Sequence, residues 1–321
     1  MFNYRTVHLE LSSKCVLKCP RCPRTELDLN TLNQEVTLAE FKSGFPINTL
    51  SKIKNFVFCG DIGDPIYATE FLEIVEYIKH NSACRLHIVT NGSYKKADWW
   101  QKLGSLLDHN DLVTFSVDGW DNDSNNLYRV NSDFDSIVLG IKTLRASSEC
   151  LIQWSAIYFS FNQDRINNIR TLAKDLGCDE FQTVKSSKFD HRYSVNGVDI
   201  LKPATNLVAD TLVYVTHTDQ LRDTAYTPIV NEVPTNPHTW AKCLNYKKDL
   251  FVSVTGLLTP CPWFNSNYQN NEFVKNNIQR LSIKHRSFFD ILNDSQLWQE
   301  FIELLDTTPP EICQIKCKNS E

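Results

Sequence analysis

The sequence predicts an α/β fold, a partial and open (β/α)6 barrel of the TIM type with a small additional domain at its C-terminal end. Between residues 6 and 185, short runs of β-branched and aromatic residues alternate with segments of helical period, as in βα units around a parallel sheet. Six such units are too few to close an eight-stranded barrel, and the alternation stops after residue 185. We therefore expect a barrel that stays open.

Each of the six units has an identifiable strand, and several helices have a recognisable beginning or end. Thr37 followed by Glu40 predicts a capping box, Ser132 predicts the start of another helix, and Gly177 predicts a helix C-cap. The predicted strands span residues 7–11, 55–58, 86–90, 112–117, 152–159 and 180–184.

The chain after the barrel divides into an irregular connection and a C-terminal domain. Prolines interrupt any periodicity in the connection. A hairpin is predicted from strands 250–254 and 257–259 around Gly256, and a helix is predicted over 296–305. We expect the barrel to span 1–205, the connecting segment 206–242 and the C-terminal domain 243–321.

Composition and charge exclude several classes of protein. The 321 residues carry a formal net charge of −5, and the isoelectric point near 5.9 disfavours the large basic surface of a nucleic-acid-binding protein. No apolar run approaches the roughly 18 residues of a membrane helix, and residues 1–10 lack the apolar centre of a signal peptide. These features predict a cytoplasmic protein with no membrane partner.

Eleven cysteines are many for a reducing compartment, where clustered thiols bind metal more often than they form disulfides. Cys15, Cys19 and Cys22 form one group, and four others form a C-terminal set. The remaining four cysteines are predicted to be small buried apolar residues, namely Cys59, Cys84, Cys150 and Cys178.

The first cysteine group follows the first predicted strand with the spacing Cys-x3-Cys-x2-Cys. Three thiolates can hold three irons of a [4Fe-4S] cubane and leave the fourth iron open, whereas an electron-transfer cluster normally has four protein ligands. The loop also lies at the C-terminal end of a strand, where barrel enzymes place their chemistry. A three-cysteine zinc site, or a coincidental spacing, is the alternative.

This spacing after the first strand of a partial barrel resembles the radical S-adenosylmethionine (SAM) superfamily. The resemblance implies that Cys15, Cys19 and Cys22 hold a [4Fe-4S] cluster that binds SAM and cleaves it reductively to a 5′-deoxyadenosyl radical. That radical removes a hydrogen atom from the substrate. The cofactor then supplies the reactivity, and the protein supplies position and the exclusion of water.

Short motifs at the ends of the next three strands extend the resemblance. It assigns the SAM amino group to the glycine turn after the second strand, where the missing Cβ permits close backbone approach. It assigns the ribose to the Ser-x-Asp segment after the fourth strand, and the SAM carboxylate to the arginine that follows. Arg21 departs from the aromatic residue or methionine usual before the third cysteine, although a guanidinium can stack on adenine. The implied SAM-binding residues are Gly60, Asp61, Gly63, Asn91, Ser116, Asp118, Arg129 and Arg21.

The C-terminal set of four cysteines suits either a [4Fe-4S] cluster or tetrahedral zinc. Its members are Cys243, Cys261, Cys313 and Cys317, without the paired Cys-x2-Cys knuckles of a zinc ribbon. The Cys-x12-Gly-x4-Cys element resembles a twitch domain, a shortened SPASM domain. This resemblance implies a small C-terminal iron-sulfur domain with one auxiliary [4Fe-4S] cluster as electron relay. Zinc and unligated thiols remain alternatives.

Two further features concern the substrate and the electron donor. Asp190 and His191 follow the last barrel strand and are candidate catalytic residues for proton transfer, with a solvated polar loop as the alternative. Four cations around the first cysteine group form a possible docking surface for an acidic flavodoxin or ferredoxin, with ordinary loop solubility as the alternative. This basic collar comprises Lys14, Lys18, Arg21 and Arg24.

The sequence therefore predicts a radical SAM enzyme that oxidises, or forms a bond at, a C–H position of its substrate. A peptide or a small polar metabolite is the expected substrate, by analogy with related domain layouts. The alternatives are radical SAM modification of nucleic acid or lipid, and a non-catalytic iron-sulfur or zinc-binding module.

Overall fold

A nine-stranded sheet forms the centre of the described part of the chain. The computed structural model describes residues 6–26, 33–185, 201–202, 204, 211–213, 240–244, 249–266 and 271–318. The strands are β1 (Thr6–Leu9), β2 (Asn55–Phe58), β3 (Arg85–Thr90), β4 (Leu112–Ser116), β5 (Leu151–Ile157), β6 (Glu180–Val184), β7 (Thr211–Val213), β8 (Leu250–Val252) and β9 (Leu258–Thr259). Their order in the sheet is β7-β6-β5-β4-β3-β2-β1-β8-β9.

The six predicted strands are present, and each pairs in parallel with the next one along the chain. Their ends differ from the predicted ends by no more than two residues. Parallel neighbours require a crossover connection, so the C-terminal ends of β1 to β6 all meet at one edge. The sheet is open within the described residues, because β7 and β9 are its two edges. The predicted α/β partial barrel is confirmed.

Helices connect these strands and form much of the C-terminal part. Within the described residues, none of them combines the length and the apolar character needed to cross a membrane. The helices are α1 (Pro23–Glu26), α2 (Leu38–Gly44), α3 (Ile47–Leu50), α4 (Phe71–Asn81), α5 (Ala97–Leu106), α6 (Asn122–Asn126), α7 (Phe134–Ser147), α8 (Ile166–Asp175), α9 (Pro262–Ser266), α10 (Glu272–Asn276), α11 (Ile278–Leu281), α12 (Phe288–Leu292), α13 (Ser295–Thr307) and α14 (Glu311–Cys313), followed by a π-helical turn (Gln314–Lys318).

Two of the three helix ends that the sequence predicts are confirmed. Thr37 and Glu40 exchange side-chain to backbone hydrogen bonds at the start of α2, which confirms the capping box. Gly177 follows α8 with a φ of 94°, as its predicted C-cap role requires. The predicted start at Ser132 is wrong by one residue, because the Asp133 side chain caps α7.

The C-terminal hairpin extends the barrel sheet. β8 and β9 pair antiparallel around Gly256, whose φ of 83° suits a glycine, so the predicted hairpin is confirmed. β8 also pairs in parallel with β1, with Val7 opposite Leu250. The hairpin assigned to the C-terminal domain is therefore continuous with the barrel, while the domain limits at 205 and 243 stay predictions.

Alternation along the strands separates an apolar face from a polar one. Val7 and Leu9 are fully buried, whereas His8 between them is partly exposed. The buried strand residues belong to the same apolar cluster as Ile74 of α4 and Ile137 of α7, so the core lies between sheet and helices. The opposite, polar face of the sheet remains for ligands.

Candidate active site and the two cysteine groups

The first cysteine group occupies the loop after β1, at the edge where the parallel strands end. Cys19 is buried, and Cys15 and Cys22 are partly exposed. Burial, the negative charge of Asp64 and the other two thiols together raise the pKa of Cys15 to about 12. Burial likewise raises the pKa of Cys19 to about 11. Thiols so close and so poorly solvated suit a ligand that supplies positive charge, as iron does.

The cysteine loop is fixed by the chain that follows β4. Lys18 N donates to Val130 O at 2.9 Å, and Asn131 Nδ2 donates to Val16 O at 2.7 Å. Arg129 directly precedes Val130 and Asn131, so these two hydrogen bonds place Arg129 beside the cysteine group.

An apolar wall lies against the same loop. Leu17 and Cys19 pack with Tyr128, Phe159 and Leu201 in a cluster separate from the main core. Water is therefore kept from one side of the cysteine group.

Asn91 is held at the cysteine group by Asp64. The buried Asp64 carboxylate accepts hydrogen bonds from Asn91 N at 2.7 Å, from Asn91 Nδ2 at 2.5 Å and from Thr90 Oγ1 at 2.9 Å. Burial raises the pKa of Asp64 to about 6. The Asn91 amide then lies 3.6 Å from Cys15 Sγ. Asp64 was missed as a site residue, although it follows the predicted glycine turn.

The glycine turn after β2 is packed too tightly for any other residue. A Cβ on Gly60 would lie 1.8 Å from Gly63 O, and a Cβ on Gly63 would lie 1.8 Å from Ser12 O. The two glycines therefore let the turn fold on itself and press against the chain that leads to Cys15.

Glu10 stabilises this turn by accepting hydrogen bonds from its backbone. Its Oε1 accepts hydrogen bonds from Asp61 N and Ile62 N, both at 2.8 Å, and its Oε2 accepts one from Val254 N at 3.2 Å. Burial raises the pKa of Glu10 to about 7. The carboxylate thus joins the turn to the β8–β9 hairpin. A single acid directly after an apolar strand is the sequence signal for this role.

Asp118 and Arg129 form a buried ion pair beside the cysteine group. Asp118 Oδ2 accepts a hydrogen bond from Arg129 Nε at 2.6 Å, and Oδ1 accepts one from Ile157 N at 2.6 Å. Burial alone would lower the pKa of Arg129, but the charges of Asp118 and Cys19 raise it. Arg129 therefore keeps its charge close to Cys19. Ser116 ends β4 two residues before this pair.

Replacing Asp118 by alanine should lower the free energy of unfolding by about 3 to 5 kcal/mol, because the Arg129 charge would lose its buried partner. Urea unfolding followed by circular dichroism measures this loss. Lys275→Ala is the control, since it breaks an ion pair whose side chains are 42% and 76% exposed and should cost less than about 1 kcal/mol. Equal effects of the two substitutions would contradict the buried pair.

The predicted basic collar is largely wrong. Arg24 is 7% exposed and donates from Nε to Ser13 O at 3.0 Å, and Lys14 is paired with Glu35. Arg21, which has a φ of 61°, pairs with a glutamate in α1. Lys18 alone of the four predicted cations is exposed. Two of the four cations thus pair with glutamates, and a third is buried, which the spacing of the charges does not predict.

The four C-terminal cysteines meet around one small cavity. Burial raises the pKa of Cys243, and the other three thiols raise it further. The cavity is lined by Cys243, Cys261, Cys313 and Cys317 together with Ala241, Pro260, Trp263, Phe264, Phe301, Ile312 and Lys316. Four thiols converging from separate segments in an apolar surrounding fit a buried four-thiolate group.

Two limits apply to the predicted ligand sets. Among the described residues, no three histidine, cysteine, aspartate or glutamate side chains are already placed to hold a single metal ion. The candidate catalytic residues Asp190 and His191 lie outside the described residues.

Burial is confirmed for three of the four isolated cysteines. Cys84, Cys150 and Cys178 are buried, but Cys59 is partly exposed, so its predicted burial is wrong.

The fold is similar to that of solved radical SAM enzymes. SuiB from Streptococcus suis, solved bound to S-adenosylmethionine, has a TM-score of 0.61 at 14% identity over 93% of this chain and 67% of SuiB. The enzyme anSMEcpe, solved with bound AdoMet, has a TM-score of 0.54 at 18% identity over 93% of this chain and 83% of its own. SuiB has also been solved bound to the precursor peptide SuiA, and anSMEcpe with the Cp18Cys peptide. No family model and no curated protein matches the sequence.

Proposed function

We propose that the chain cleaves SAM reductively to a 5′-deoxyadenosyl radical and uses it to oxidise, or form a bond at, a C–H position of a peptide. The observation that carries this proposal is the convergence of Cys15, Cys19 and Cys22 with Asn91 and the Asp118–Arg129 pair at one edge of the parallel sheet. A [4Fe-4S] cluster held by these three cysteines would supply the electron that cleaves SAM.

The chain's own residues would bind and orient SAM. Arg129 carries a fixed positive charge that suits the SAM carboxylate, and its orientation depends on Asp118. The backbone of the Gly60–Gly63 turn approaches without side chains and suits the amino group. Asn91, aligned by Asp64, borders the cluster at Cys15. Arg21 and Ser116 complete the proposed SAM-binding set.

A radical needs protection from water and from side reactions. The apolar wall of Leu17, Tyr128 and Phe159 lies against the cysteine loop and supplies part of this protection. Asp190 and His191 stay proposed proton-transfer groups.

The polar face of the sheet favours a polar substrate. His87 Nε2 and Thr114 Oγ1 are 2.8 Å apart, Thr114 Oγ1 donates to Gln153 Oε1 at 3.0 Å, and Gln153 Nε2 donates to Glu180 Oε2 at 2.7 Å. This row of hydrogen bonds crosses β3 to β6. A lipid would require an apolar tunnel there, and the acidic net charge disfavours nucleic acid. The peptide-bound structures of SuiB and anSMEcpe favour a peptide over a small polar metabolite.

The four C-terminal cysteines would hold an auxiliary [4Fe-4S] cluster in a twitch-type domain. Four protein thiolates leave no iron open, so electron relay is the role that this ligand set favours over substrate binding. Structural zinc is the alternative for the same four thiols.

A flavodoxin or ferredoxin in the reducing cytoplasm is the proposed electron donor. Lys18→Glu should slow reduction by flavodoxin severalfold at low ionic strength and leave reduction by dithionite unchanged, because only a protein donor gains from electrostatic steering. Stopped-flow absorbance measures both rates. Lys142→Glu, the same charge change on α7, is the control, and equal slowing by both variants would argue against docking at Lys18.

The proposed function is tested by incubating the anaerobically iron-loaded chain with SAM and dithionite. We expect 5′-deoxyadenosine and methionine in equal amounts, even without substrate. A fully iron-loaded sample that forms neither product would contradict the proposal and favour a non-catalytic binding module.

A further inference from the structure

Three side chains from neighbouring strands form a hydrogen-bonded row outside the residues assigned to SAM. His8 lies on β1, Cys59 directly follows β2, and Asp249 directly precedes β8. His8 Nδ1 is 3.5 Å from Cys59 Sγ, and His8 Nε2 is 2.9 Å from Asp249 Oδ2. Since β2, β1 and β8 are adjacent in the sheet, its topology brings the three together.

The row is accessible and has the geometry of an activated nucleophile. The side chains of His8 and Asp249 are 29% and 30% exposed, and Cys59 is also partly exposed. The two imidazole nitrogens contact different partners, so one metal ion cannot bind all three side chains in this arrangement. A cysteine in contact with a histidine that an acid orients is the pattern of nucleophilic catalysis.

Charge supports the same interpretation. Burial lowers the pKa of His8, but its hydrogen bonds with Asp249 and Cys59 outweigh burial and raise it to about 9. His87 on β3 also interacts electrostatically with His8, and burial lowers the pKa of His87 to about 4. At neutral pH, a positive His8 therefore lies between Cys59 and Asp249 while His87 is neutral.

We propose that Cys59 is a reactive nucleophile, activated by His8 and Asp249, that undergoes thiol–disulfide exchange with small-molecule disulfides. The Cys59 sulfur, as the thiolate paired with protonated His8, attacks one sulfur of the disulfide, and a new S–S bond forms as the old one breaks. The departing sulfur takes the proton held at His8 Nδ1 and leaves as a thiol. The bound molecule serves as the oxidant, and no electron from the radical chemistry is involved.

Glutathione disulfide is a suitable probe. The full chain, iron-loaded without oxygen, is incubated with it between pH 6 and 8, and the adduct at each cysteine is measured by peptide mapping and mass spectrometry. Cys59 should form the adduct faster than any other cysteine outside the two ligand groups. The buried Cys84, Cys150 and Cys178 should stay unmodified and serve as internal controls.

Two variants separate activation from mere exposure. In His8→Gln the rate at Cys59 should fall roughly tenfold or more, because the contact between the thiol and the imidazole is lost. Asp249→Asn keeps an acceptor for the ring and should fall between the wild type and His8→Gln, which decides the question if His8→Gln does not fold. Absence of the adduct at Cys59, or an unchanged rate at Cys59 in the folded variants, would overturn the proposal. SAM cleavage measured on the same samples reports separately on the proposed function.

Discussion

Replacing Cys19 by alanine should reduce the formation of 5′-deoxyadenosine to the background of the iron-free chain. Cys19 is the buried member of the first group, packed against Tyr128 and Phe159 and close to the charge of Arg129. Only three protein thiolates are available there, so loss of one removes a cluster ligand that the chain cannot replace. Product is measured by chromatography after incubation with SAM and dithionite.

Cys150→Ala is the matched control for this experiment. Cys150 is a fully buried cysteine outside both groups, so its replacement also leaves a small cavity in the protein interior. Its activity should remain near that of the wild type. Near wild-type product from Cys19→Ala would contradict the assignment of the cluster to Cys15, Cys19 and Cys22.

Replacing Cys313 and Cys317 together by alanine should lower bound iron from about eight to about four atoms per chain, because the two ligand sets are independent. SAM cleavage without substrate should persist, since the proposed mechanism takes its electron from the first cluster. Modification of a peptide substrate should fall steeply if the second cluster relays electrons. Iron and sulfide analysis and product assays measure these quantities.

The control for the double variant must separate electron relay from loss of structure. The cavity that the four thiols share is also lined by Phe264 and Phe301, so the loss of a bound group can destabilise the surrounding helices. A double replacement of Cys150 and Cys178 by alanine tests the effect of removing two buried thiols. Circular dichroism melting curves compare the variants. A wild-type chain with about four irons and one zinc would exclude the relay role.

Much of the barrel could be predicted because its signals are local. Apolar runs give the six parallel strands, the Thr37 capping box gives the start of α2, and the cysteine spacing after β1 places the candidate cluster site. Each of these depends on residues a few positions apart, whose relationship the chain itself maintains.

The parts that could not be predicted depend on contacts between distant segments. The pairing of β8 with β1 joins residues about 240 positions apart, and it brings Asp249 to His8. Burial of Arg24 depends on the carbonyl of Ser13, and the role of Glu10 depends on amides from two other segments. Residue type and spacing do not encode such partners. The predicted basic collar and the predicted burial of Cys59 were wrong for this reason.

Electron paramagnetic resonance of the reduced, iron-loaded chain, recorded with and without SAM, tests the central claim most directly. In the Cys313→Ala, Cys317→Ala double variant, we expect the signal to come from the first cluster alone, and SAM should change it because the proposed cluster has one iron without a protein ligand. Cys19→Ala should show no change with SAM. A signal in the double variant that is identical with and without SAM would contradict a SAM-binding cluster at Cys15, Cys19 and Cys22.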